Sequence, residues 1–355
     1  MKKIIYICIA VLVISCSKDD TTPTTGYTPT PAPLQIPQVF SNNILPPIIP
    51  PGNPQTVEGV ALGRKLFYET LLSADNTQSC SSCHSPANAF TANAQLSEGI
   101  DGLVGTRNSM PLFNLAWNYD NKFFWDGREF GLEMQAQKPV ENPVEMHNTW
   151  QNALQALQNT TEYPPLFEQA FGSTQITKMK VVKAIAQFER TLISANSKFD
   201  RHLLGTYTLT TAEQNGLNVF MDEAAGDCFH CHGSPNNPLW TDNQFHNNAL
   251  DATFTDLGLG EVTGDPNDNG WFKAPSLRNL SFTAPYMHDG RFSTLGGVIH
   301  HYSENLQSSA TNDPLMKNIG AGGNHLTPQQ KTDLLAFLLC LNDTDFTTNP
   351  NFQEP

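Results

Sequence analysis

Cys80-Ser81-Ser82-Cys83-His84 and Cys228-Phe229-His230-Cys231-His232 are two copies of one pattern, C-x-x-C-H, lying 148 residues apart (80 to 228). The pattern has a chemical reason. Two thiols at this spacing add as thioethers to the two vinyl groups of one haem, and the adjacent histidine then sits under the iron as proximal ligand. Three other uses of paired cysteines compete. A thioredoxin-like dithiol wants a βαβ context, and no sustained strand alternation surrounds either pair. A zinc ribbon built from both pairs leaves His84 and His232 without a role, and so does a disulfide. The reading is therefore two covalent c-type haems, bound through Cys80, Cys83 and His84 and through Cys228, Cys231 and His232.

The N-terminus fits this reading, because c-type attachment in bacteria occurs outside the cytoplasm. Residues 1–15 open with Lys2-Lys3 and continue as a short apolar run, which reads as a secretory signal. The run is too short to span a membrane, which takes about 20 residues. Val13-Ile14-Ser15-Cys16 resembles a lipoprotein box, with Cys16 as the lipidated residue. Ser17-Lys18-Asp19-Asp20 resembles an export tag of surface lipoproteins. Residues 16–54 carry ten prolines between Pro23 and Pro54 and read as a Thr/Pro-rich tether. The expected location is the periplasm or the outer membrane and cell surface, with membrane contact only through the lipid. The seven cysteines are then accounted for. Cys8 leaves with the signal, Cys16 carries lipid, four thiols hold haem, and Cys340 is a free core residue.

Composition narrows the rest. The formal charge is 20 minus 34, or −14, which excludes a nucleic-acid binder. With 39% apolar and only 15% charged residues the chain is not disordered and can bury a sizeable core. The periodicity is helical. Val181, Ile185, Phe188 and Leu192 mark one face of a helix near 177–197. Thr210-x-x-Glu213 is a capping box opening a helix to about 223, and Thr327-Pro328-x-Gln330 opens a terminal helix. Another helix covers about 56–72. The expected fold is all-α, with two cytochrome c-like domains at 55–200 and 201–345 and a tail at 346–355.

Six segments together resemble the bacterial di-haem cytochrome c peroxidase family, including its MauG branch. They are Leu62-Gly63-Arg64-Lys65-Leu66-Phe67, Ser79–Pro86, Gly105-Thr106-Arg107-Asn108, Phe124-Trp125-Asp126-Gly127-Arg128, Glu141–Met146 and Ala274–Gly290. The resemblance implies a peroxide-reactive haem in the first domain and an electron-transfer haem in the second. Many members carry a distal histidine beyond the first motif; the matching position here is Ile100, and the MauG branch also lacks that histidine. The first haem is then expected to be five-coordinate, unless another segment supplies a ligand.

With no distal histidine, the proton shuttle that peroxide cleavage needs falls to a carboxylate, and Glu145 matches the family's distal glutamate. Gln135 matches a pocket glutamine. Trp125 matches the tryptophan between the two haems. At the second haem Tyr302 stands where the peroxidase branch has methionine and the MauG branch tyrosine; Met316 and Met287 are competing ligands. The resemblance also implies a calcium ion held by Asn108, Thr283 and Pro285. His246 is a candidate hydrogen-bonding group near the second haem. His300 and His301 flank Tyr302, and His288 reads as structural.

The leading expectation is a peroxidase that reduces hydrogen peroxide to water, with electrons from a small redox protein such as a cytochrome c. A MauG-like oxidase of side chains in a partner protein is the alternative. A non-enzymatic electron-transfer cytochrome stands behind both. The oligomeric state, a homodimer included, is not legible from these residues.

Overall fold

The computed structural model describes residues 27–355. The signal segment, the lipidation site at Cys16 and the first part of the tether lie outside the described residues.

Each half is built on a pair of helices that touch backbone to backbone. In the first half, Thr56 caps the helix Val57–Phe67 by accepting from the Gly59 N–H. Leu62, Leu66 and Phe67 then pack on Val181, Ile185 and Phe188 of the helix Lys178–Thr191. Gly63 allows this approach: a Cβ there would lie 1.8 Å from the Ala184 carbonyl oxygen. The second half repeats the device. The capping boxes of Thr210 with Glu213 and Thr327 with Gln330 open the helices Thr211–Met221 and Pro328–Leu339. A Cβ on Gly216 would lie 1.9 Å from the Asp333 carbonyl oxygen.

Two cores follow. The first gathers Leu62, Phe67, Phe90, Phe167, Ile185 and Phe188; the second gathers Phe199, Phe220, Trp240, Leu334, Phe337 and Leu341. Cys340 is buried in the second as a free thiol. The chain passes between cores from Leu192 to Phe199 and then crosses back. Phe346 and Phe352 pack on Phe90 in the first core. The Phe352 carbonyl accepts from the Tyr68 hydroxyl at 2.6 Å, and the Gln353 carbonyl accepts from Arg64 Nε at 2.7 Å. The last residues thus belong to the first half rather than forming a separate tail.

The fold is helix-rich and includes strands that an all-helical reading misses. Lys122–Phe123 pairs antiparallel with Glu129–Phe130, and Phe245–His246 with Phe272–Lys273. Two-residue strands are too short for a period of two to register in sequence.

Residues 27–54 lie against the helices rather than extending from them. Val39 and Phe40 are buried with Trp117 and Leu239. Asn53 donates to Glu133 Oε1 at 2.7 Å and to the Lys183 carbonyl at 3.0 Å. Proline keeps much of this segment non-helical, but the short helix Gln38–Ser41 carries Val39 and Phe40 into the core.

One ion pair locks the second half. Arg278 donates to the two Asp200 oxygens at 2.8 and 2.5 Å, and both side chains are almost fully buried. Burial alone would raise the Asp200 carboxyl, but the Arg278 guanidinium and the Ser197 hydrogen bonds outweigh it and hold it below the usual range. Asp200→Asn leaves the guanidinium without its counter-charge. It is expected to cost about 3–5 kcal/mol in denaturant unfolding of the holo protein. Because the folded pKa is depressed, the pair's contribution is full above the unfolded value of about 3.9 and is lost as pH falls through the folded one.

Candidate functional site

The first cavity has a volume of about 620 Å³, and Cys83 and His84 stand in its wall. Cys80–Cys83 form one helical turn, which puts both thiols on the same side of the chain, and Cys80 packs on the first core. His84 Nδ1 donates to the Phe90 carbonyl at 2.8 Å, which leaves Nε2 free for a metal. Burial holds the ring below the ordinary histidine pKa and so favours the neutral, ligating form.

Glu145, Gln135, Asn142, Arg128 and Trp125 line the same cavity. Glu145 Oε1 accepts from Asn142 Nδ2 at 2.6 Å. Burial raises its pKa above the usual carboxylate value, against the opposing effects of the Asn142 bond and the Arg128 charge. Gln135 Oε1 is buried without a partner. Ile100 does not line the cavity; its N–H donates to the Glu145 carbonyl at 3.0 Å. Among the described residues His84 is the only histidine in the wall. His147 is exposed and pairs with Asp101.

The second cavity, of about 220 Å³, is lined by Cys228, Cys231, His232, Tyr302, Met287 and Met316. Tyr302 lies on the helix Leu295–Glu304, and its hydroxyl accepts from Asn248 Nδ2 at 3.1 Å. Burial raises the phenol, partly offset by that bond. His232 is pushed down to about 4, mainly by burial, and its Nδ1 has no partner of good geometry. His246 lines this cavity between Asp313 (2.6 Å) and Asp242 (2.9 Å). Burial opposes its charge, but the two carboxylates outweigh it and raise the imidazole to about 12. His300 is exposed and pairs with Glu304, and His230 pairs with Asp227. His288 stacks on Phe272 with ring centroids 3.7 Å apart.

The two cavities share a wall. Asn108, Ser109, Trp125, Lys273 and Pro275 line both. Trp125 Nε1 donates to the Asn108 carbonyl at 2.8 Å. Asn108 Nδ2 donates to the Ala94 and Gln95 carbonyls, both at 3.0 Å, which leaves its side-chain oxygen for another partner. Thr283 and Pro285 stand with Asn108 around the second cavity.

These residues fit haem. Cys83 and a half-buried His84 whose pKa is lowered face the first cavity. Cys228, Cys231 and a half-buried His232 whose pKa is lowered face the second, where Leu280, Leu295, Ile299 and Leu334 supply much of the wall. The four thiols are unpaired. Among the described residues no three His, Cys, Asp or Glu side chains cluster as a zinc site would require.

The comparisons agree. Residues 57–208 match the family described as di-haem cytochrome c peroxidase. A cytochrome-c peroxidase of Pseudomonas sp. (strain SCT) is 33% identical over 332 residues, 84% of each chain. The chain belongs to the di-haem cytochrome c peroxidase family. Methylamine utilization protein MauG of Methylorubrum extorquens is 35% identical, over 81% of this chain and 79% of that one. Among solved structures, a MauG-like protein associated with microbial copper homeostasis superposes with a TM-score of 0.81 at 35% identity, covering 90% of this chain and 98% of that one.

Within this di-haem peroxidase family member, sequence reasoning missed several residues that shape the site. Asn248 bonds Tyr302, and nothing local to residue 248 signals it. Glu189 lines neither cavity but acts on the Cys80 thiol through its charge. It is buried, burial above all raises its carboxyl to about 8, and the amphipathic face of its helix did not mark it. Lys273 stands in the shared wall, beside the Ala274–Gly290 segment that did carry a signal.

Proposed function

We propose that this chain is an exported di-haem peroxidase that reduces hydrogen peroxide to water with electrons from a small redox protein. Two covalent c-type haems would be held by Cys80, Cys83 and His84 and by Cys228, Cys231 and His232, in two cytochrome c-like units spanning about 55–200 and 201–345. The carrying observation is that Glu145, Gln135 and Trp125 line one cavity with Cys83 and His84, and that no second histidine among the described residues does. Haem held there would supply a redox-active iron through which peroxide could be reduced.

Glu145 acts as the proton shuttle. Its carboxylate takes the proton from one peroxide oxygen and returns it to the other, so that the departing oxygen leaves as water. Asn142 fixes the carboxylate for this transfer. Gln135 orients peroxide through its unpartnered oxygen. Two further electrons and two protons complete the conversion of one hydrogen peroxide to two waters. Trp125 stands in the wall shared by the cavities and relays electrons.

Tyr302 would hold the second haem from the wall it shares with Met287 and Met316, and would supply a hard anionic phenolate in preference to either methionine sulfur. Calcium would be held by Asn108 with the carbonyls of Thr283 and Pro285, an all-oxygen set that suits the ion. Lipidation at Cys16 would anchor the protein to a membrane from outside the cytoplasm. Ile100 and Tyr302 also favour a second reading, a MauG-like oxidase acting on side chains of a partner protein.

The test is peroxide consumption by the holo protein with a reduced c-type cytochrome as donor. Two cytochromes oxidised per peroxide supports the proposal. Consumption only when a partner protein is present and oxidised supports the second reading.

A further inference from the structure

Lys273 is a buried cation that neither haem attachment nor proton transfer uses. It is 6% exposed and sits on the strand Phe272–Lys273, where its N–H donates to the Trp125 carbonyl at 2.8 Å. Its side chain lies in the wall shared by the two cavities. Nζ donates to the Asn243 carbonyl at 2.7 Å and to Asn118 Oδ1 at 3.3 Å, both neutral acceptors. No carboxylate among the described residues pairs with it. Of the charged groups around it, Asp120 and Asp242 favour its charge and Lys122 opposes it. Lys122 crowds the same place, since both ammonium groups lie over the Phe245 ring, 5.5 and 5.4 Å from its centroid. Burial dominates and pushes Lys273 down to about 8. A buried charge with no counter-charge is unfavourable and calls for an anion.

The first cavity is continuous from Cys83 and His84 to Asn118, Asn243 and Lys273. Haem carries its own anions, two propionates on the edge away from its vinyl groups. Thiols that hold the vinyl edge at Cys80 and Cys83 turn the propionate edge away from themselves. We infer that Lys273 is the counter-ion of a propionate of the haem attached at Cys80 and Cys83, and that it fixes this edge beside Trp125. The inference rests on the proposed haem occupancy. It makes Lys273 a positioning residue, because its backbone N–H is bonded to the Trp125 carbonyl and its ammonium would hold a haem edge at the wall both residues line. A cation at that edge disfavours the ferric state, which carries one more positive charge, and so raises the reduction potential.

The experiment compares wild type, Lys273→Met and Lys273→Arg as holo proteins, with haem per chain counted first. The readouts are the propionate bending bands of the resonance Raman spectrum and the reduction potentials of both haems. In K273M the bands of the first haem are expected to shift and its potential to fall, while the second haem moves less; K273R restores both. Two haems per chain with unchanged bands and potentials in K273M overturn the inference and leave the haem reading standing. Wild type without two haems per chain overturns both. If K273M fails to mature, Lys273→Gln, also neutral, is read by the same criteria.

Discussion

Replacing Glu145 with Gln is expected to slow the reaction with peroxide by about 10²–10⁴-fold, the range that a positioned acid–base group supplies. The amide keeps the volume of the carboxylate and can still bond Asn142, so both haems are expected to stay attached. What it cannot do is accept a proton. Stopped-flow absorbance after mixing with peroxide measures the effect. The pH profile gives a second check. Burial raises the Glu145 pKa despite the Asn142 bond and the Arg128 charge. A base must be deprotonated to act, so the wild-type rate climbs with pH through an inflection above the ordinary carboxylate value of about 4.3. In Glu145→Gln that inflection is absent. An unchanged rate and profile remove Glu145 from the mechanism.

Replacing Tyr302 with Met is the second large effect, and it is read as a potential. Axial ligands set haem potentials over a range of about 0.8 V, and His/Met ligation lies at the higher end. A phenolate is hard and anionic and favours the ferric state. The variant is therefore expected to raise the potential of the second haem and to replace a tyrosinate spectrum by a His/Met one. Spectroelectrochemistry reads both. Tyr302, Met287 and Met316 line one cavity, and Asn248 bonds both the Tyr302 hydroxyl and the Met287 sulfur, at 3.1 and 3.6 Å. An unchanged potential and spectrum mean that a methionine already ligates the iron and that Tyr302 only packs.

How much of this was legible in the sequence depended on distance along the chain. The C-x-x-C-H motifs, the capping boxes at Thr210 and Thr327 and the apolar face of the helix Lys178–Thr191 are local patterns, and local physics fixes them. The location of Glu145 and Trp125 in one cavity is non-local. Only the family resemblance brought them together before the structure did. Contacts between distant segments stayed hidden. The bond from Arg64 to the Gln353 carbonyl joins the ends of the fold, and no periodicity announces it. Residues 27–54 read as a tether because proline dominates them, yet Val39 and Phe40 are buried. Lys273 was invisible for a related reason. A lysine near an apolar stretch normally points to water, and only the packing of Phe245, Asn118 and Asn243 shows that this one does not.

The central claim is that the first haem is open to peroxide and the second is closed by a protein ligand. The ferric absorption and electron paramagnetic resonance spectra of the holo protein, recorded before and just after adding peroxide, test it most directly. One high-spin and one low-spin haem are expected, with a fast spectral change on mixing. Two low-spin haems that do not respond to peroxide would contradict it.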